Sequence, residues 1–107
     1  MMTYNFAKEF SPVPGPRRKD IGPYSGELFR DEVLQKWFDS GIQVELDIND
    51  VQMSFGPSFL SEAFGKMAKK LGSEDEFFKI IHVKQDSEKN KHFEELLHKY
   101  VQIALSK

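Results

Sequence analysis

The chain has 107 residues, of which 39% are hydrophobic and 30% charged, a length and composition expected of one globular domain with a single core and not of a disordered segment. A net charge of −2 and a sequence pI near 5.9 exclude a global electrostatic pull toward nucleic acid or an anionic membrane, and the lack of cysteine excludes disulfides and thiol chemistry. No apolar run approaches the roughly 18 residues of a membrane span and the N-terminus has no basic-then-apolar leader, so a cytoplasmic protein is expected.

Thr3 to Phe10 alternates, with Tyr4, Phe6 and Phe10 on one side, which predicts a half-buried edge strand. Ser11-Pro12-Val13-Pro14-Gly15-Pro16 then withholds backbone donors and restricts φ, so an extended connector is expected to run on to Tyr24. Arg17, Arg18 and Lys19 stand together on it, either as solvated charge or as a contact for an anion or acidic partner. Residues 1–24 thus read as an N-terminal strand and proline-rich connector, and 25–107 as an α/β core.

Ser25 suits an N-cap, with Glu27 in the first turn, and starts a helix expected to reach Ser40 and to close at Gly41. Its apolar face holds Leu28, Phe29, Val33, Leu34, Trp37 and Phe38. From Ile42 to Ile48 the alternation is strict, predicting a strand with Ile42, Val44, Leu46 and Ile48 inward and a polar opposite face. Such one-sidedness predicts a sheet with helices on one face only.

Asp47 to Leu71 reads as a strand end, a tight loop and a helix start. Pro57 suits the first helical position and Gly56 the cap, which leaves the amides of Ser58 and Phe59 free. An anion, or a phosphate on Ser58 or Ser54, would be tolerated there. Phe59, Leu60, Ala63, Phe64, Met67 and Leu71 recur at helical spacing, and Gly72 suits a left-handed C-terminal cap.

Ser73-Glu74-Asp75-Glu76 reads as an acidic turn leading into a second central strand, Phe77 to Val83. Phe78 and Ile80 would then lie on the open sheet face, and this patch together with the N-terminal edge strand predicts a homodimer. Asp86 or Ser87 caps a last helix toward Ser106, with Phe93, Leu96, Leu97, Tyr100, Val101 and Ala104 as its stripe. The threefold strand and helix alternation predicts a single small α/β domain with a short, mainly parallel sheet and right-handed crossovers.

No nucleophile and base stand at a readable spacing and there is no glycine-rich phosphate loop, so neither enzymatic activity nor a cofactor is expected. His92 and His98 are about 240° apart round a helix and cannot share one metal, so no metal site is expected.

Two motifs resemble the STAS-like domain family of unknown function, bacterial relatives of the sulfate transporter and anti-sigma factor antagonist domain. The first is Gly15-Pro16-Arg17 through Asp20, then Gly22-Pro23-Tyr24-Ser25-Gly26-Glu27 and Phe29-Arg30. The second is Val44 to Asp47, Val51, Ser58-Phe59-Leu60 and Glu62-Ala63-Phe64-Gly65. The resemblance implies a small STAS-like α/β fold that regulates by docking on a partner protein, a kinase-like ATPase among the partners. It also implies that the loop serine at the second helix, Ser58 here, can be phosphorylated. Arg17 and Arg30 match arginines recurrent in the family, and either could pair with Glu62.

The leading expectation is therefore a non-enzymatic regulatory interaction module that docks through the loop and helix start around Ser58. The alternative is a small-molecule, phosphate or nucleotide-binding protein that uses Arg17, Arg18, Lys19 and Arg30 against the amides at Ser58. No nucleic-acid partner is expected, since one basic triplet without an aromatic surface is a poor footprint.

Overall fold

Three short stretches pair into one parallel sheet in the computed structural model, which describes all 107 residues: β1 (Met2–Asn5), β2 (Val44–Asp47) and β3 (Ile81–Val83), in that spatial order. The register sets Tyr4 beside Leu46 beside Val83, and Val44 beside Ile81, so these side chains share the face turned toward the helices. Thr3, Asn5, Glu45, Asp47 and His82 share the other. That face is polar: the Thr3 hydroxyl donates to Glu45 at 3.2 Å, and His82 Nε2 stands 3.2 Å from the Gln43 side-chain oxygen. One-sided cover by helices follows, as the alternation predicts.

Five helices complete the domain. They are α1 (Phe6–Glu9), α2 (26–40), α3 (57–71), α4 (Glu74–Ile80) and α5 (Glu88–Leu105). Both α2 and α3 widen to a π turn midway, at Arg30–Leu34 and Ser61–Gly65. Between the sheet and these helices lies one core of 22 residues, in which Phe6, Phe29, Phe59, Phe64 and Phe77 are fully buried. Each such ring replaced by alanine costs about 3–5 kcal/mol, a large part of a small domain's stability. No helix is long and apolar enough to cross a membrane.

Four expectations need correction. The first strand stops at Asn5, because the Asn5 side chain accepts from the Lys8 amide at 3.1 Å and starts α1 instead. Phe6 and Phe10 consequently turn toward the core with ring centroids 5.2 Å apart. The connector is not extended: the Gly15 amide donates to the Tyr24 carbonyl at 3.0 Å and closes residues 15–24 into a loop. A Cβ on residue 15 would stand 2.3 Å from the Pro23 carbonyl oxygen, so only glycine allows that closure. The middle strand is shorter than Ile42 to Ile48, and Ile42 is exposed beyond its start.

The fourth correction concerns Phe77 to Val83. The Ser73 hydroxyl accepts from the Glu76 amide at 3.3 Å, and Glu74, Asp75 and Glu76 complement the positive end of a helix dipole. The acidic stretch therefore begins α4, and only Ile81–Val83 is strand, at the sheet edge and not its centre. Ile80 is buried, while Phe78 is half-buried with its ring stacked on His98 at 3.9 Å. The apolar patch expected on the open sheet face is absent, and the homodimer loses that support.

Candidate functional site: a cationic groove beside the start of helix α3

The starts of α2 and α3 differ in how their amides are satisfied. At α2 the Ser25 hydroxyl accepts from the Leu28 amide at 3.0 Å, and the Pro16 and Arg17 carbonyls accept from Gly26 and Glu27 at 2.8 and 2.9 Å. At α3, Gly56 is extended and caps with no side chain, Pro57 occupies the first turn, and the Ser58 and Phe59 amides have no partner in the chain. Ser58 is exposed, whereas Phe59 beside it is anchored in the core.

The approach to this start is pinned. Buried Asn90 accepts from the Ile48 amide at 2.9 Å and donates to Asp86 at 2.9 Å, joining the end of β2 to the start of α5. Hydrogen bonds from Asn49 and Asn90 hold the Asp86 carboxyl below the usual range. The Lys89 ammonium donates to the Asn49 carbonyl at 3.0 Å and also to that of Val51, and the Gln52 amide reaches the Pro12 carbonyl at 2.7 Å. The loop thus delivers Ser58 from a fixed base.

A groove of about 840 Å³ opens there, walled by the 16–21 loop, the outer side of α3 and the end of α5. Five cations line it, from Arg17, Arg18, Lys66, Lys69 and Lys107, against one carboxylate, Glu62. That carboxylate is committed. Arg30 Nη1 donates to Glu62 Oε2 at 2.5 Å and to the Glu62 carbonyl at 2.7 Å, and the Lys66 ammonium lies 2.9 Å from the same carboxylate oxygen. Burial would raise the carboxyl's pKa, but the hydrogen bonds and charges of Arg30 and Lys66 outweigh it and hold Glu62 below its ordinary value. Arg17 and Lys69 have no carboxylate within 4.0 Å. The Arg18 to Asp20 pair, 3.4 Å apart and mostly exposed, holds Arg18 only weakly.

The structure therefore brings together Arg17, Arg18, Ser58 and Glu62. Arg30 stands behind Glu62 as its ion-pair partner and does not line the groove. Lys19 turns away to Asp31 at 3.2 Å, with its amide on Glu27 at 2.9 Å. Ser54 lines a separate crevice of about 290 Å³ with Met53, Phe55 and His92. Sequence reasoning missed Lys66 and Lys69, although their spacing from Ser58 and Glu62 puts all four on one side of α3. It also missed Tyr100 and Ile103, for which only the docking of α5 supplies the signal.

Neither curated proteins nor solved structures yield a match to this chain. A family described as the STAS-like domain of unknown function matches residues 25–91, more than half of the chain and including α2, β2, α3 and β3. By that match, on a parallel sheet covered on one side, the chain belongs to the STAS-like domain family of unknown function.

Proposed function

We propose that this chain is a non-enzymatic regulatory module that docks on a protein partner through the start of α3 and the groove beside it. The observation that carries this reading is the exposed Ser58 at a helix start with no side-chain cap, beside a groove in which Arg17 and Lys69 have no carboxylate of the chain within 4.0 Å. A kinase-like ATPase in the cytoplasm is the kind of partner the reading anticipates. Capture from lysate with ATP present, comparing wild type with Ser58→Asp, tests it. One protein enriched by wild type and lost with the aspartate supports the reading, and equal capture discards Ser58 as the switch. Capture of nothing above background by either form overturns the docking role.

The convergence of Arg17 and Arg18 on Ser58 also favours a second reading, a phosphate or nucleotide site in the same groove. A homodimer accompanies the first reading on narrower ground: the outer edge of β1 pairs with no strand, and Met2 is exposed on it. Light scattering at tens of micromolar that gives the monomer mass removes the dimer.

A further inference from the structure

The groove inverts the charge of the molecule around it. The chain is acidic overall, yet one surface groove gathers five cations around a single carboxylate already neutralised by Arg30 and Lys66. The cations come from three separate elements, so no helical pattern of alternating surface charge accounts for them. Between them stand apolar side chains left in the open: Ile21 is 61% exposed and Ile103 is 38% exposed.

Resting on the docking reading above, we propose that the occupant of this groove is an acidic peptide segment of the partner that carries apolar side chains between its carboxylates. Its carboxylates meet Arg17, Arg18 and Lys69, and its apolar side chains cover Ile21 and Ile103. An acidic residue at one end of the segment reaches the unpartnered amide of exposed Ser58. The groove's volume, near the upper end of small-ligand pockets, suits an extended chain better than one phosphate group. Nucleic acid fits it less well. Single strands bind by stacking bases on aromatic rings, whereas the groove's one ring, Tyr100, is half-buried and has the Lys99 ammonium 5.8 Å from its centroid.

The test is fluorescence polarisation with the full chain and a labelled peptide of alternating glutamate and leucine. The same peptide with lysine for glutamate, a labelled oligouridylate and inorganic pyrophosphate as competitor run beside it. Saturable binding of the acidic peptide is expected, weakened about tenfold or more by Arg17→Glu with Lys69→Glu, and weakened again by raising salt to about 0.3 M. Both sites are exposed, so the double variant keeps the wild-type circular dichroism and melting profile. Ile21→Ser, which leaves charge unchanged, should weaken binding by a further factor of a few. Absence of peptide binding, binding indifferent to the double variant, equal binding of the lysine peptide, or tight binding of oligouridylate or pyrophosphate in its place each overturns the proposal. Retention of a captured partner by Arg17→Glu with Lys69→Glu, alongside its loss with Ser58→Asp, would sink the acidic-segment inference while the docking reading stands.

Discussion

Glu62→Gln is the perturbation whose size is best defined by the geometry. The Glu62 side chain is 4% exposed and that of Arg30 19%, so both charges are largely out of water and each depends on the other. Removing one partner of a buried pair costs about 3–5 kcal/mol, because the remaining charge is left without compensation. Glutamine keeps the shape and one acceptor, the Glu62 backbone carbonyl still receives Arg30 at 2.7 Å, and Asp31 stands 3.4 Å from Arg30 Nε. These retained contacts place the expected loss nearer 2–3 kcal/mol. In a domain of this size that lowers the melting temperature by roughly 10 °C or more.

The pH dependence supplies an independent check. Glu62 is held below its ordinary value of 4.5 in the fold, so between the two pKa values the unfolded chain binds more protons than the folded one. Stability from this group is fully present above about pH 4.5 and is lost as pH falls through the folded-state value. Protonated glutamic acid and glutamine are neutral and nearly isosteric, so the gap between wild type and variant should stay level from neutral pH down to about 5 and then close. Urea titration followed by the fluorescence of the single tryptophan, buried Trp37, reads both effects. A midpoint unchanged at neutral pH, or a gap that widens on acidification, would refute the reasoning.

Gly26→Ala should destabilise even though alanine is the better helix former by about 1 kcal/mol. The added Cβ would stand 2.9 Å from the Phe59 carbonyl oxygen and 3.2 Å from Glu62 Cβ, so α2 and α3 must separate at a cost of about 1–3 kcal/mol, read as a lower melting temperature. Ser58→Asp should do the opposite to stability. A carboxylate in the first turn of α3, at the positive end of the helix dipole, is expected to add about 0.3–1 kcal/mol while it weakens partner capture. A drop in its melting temperature would mean that Ser58 packs or caps in a way its exposure does not indicate.

Much of this fold is legible in the sequence where local and tertiary preferences agree. Ser25, Pro57, Gly41, Gly72 and Ser87 all act at the helix ends their chemistry predicts. The failures have a common physical cause. Asn5 and Ser73 are side chains that bond nearby amides, and each turned an apparent strand into a helix start. Phe77 to Val83 is apolar enough for either state, and the acidic residues before it decide the matter through the helix dipole. The groove was half legible. The sequence marks Arg17, Arg18, Ser58 and Glu62 as candidates, but the loop closure through Gly15 that brings the arginines to α3 depends on a backbone approach no local pattern encodes.

The Arg30 to Glu62 pair links this folding account to the site. Arg30 lies in the π turn of α2 and Glu62 in that of α3, so the pair holds together two helices where both backbones depart from α geometry. Gly26 lets those helices approach closely enough for the guanidinium to reach both the carboxylate and the carbonyl of residue 62. The carboxylate that would otherwise repel an acidic partner is thereby neutralised from within, and Arg17 and Lys69 keep their charges for whatever enters from outside. A structural ion pair thus leaves the groove cationic, which is why Glu62→Gln should cost stability and yet not weaken, and by raising the local positive charge should modestly tighten, the binding of an acidic segment to the protein that remains folded.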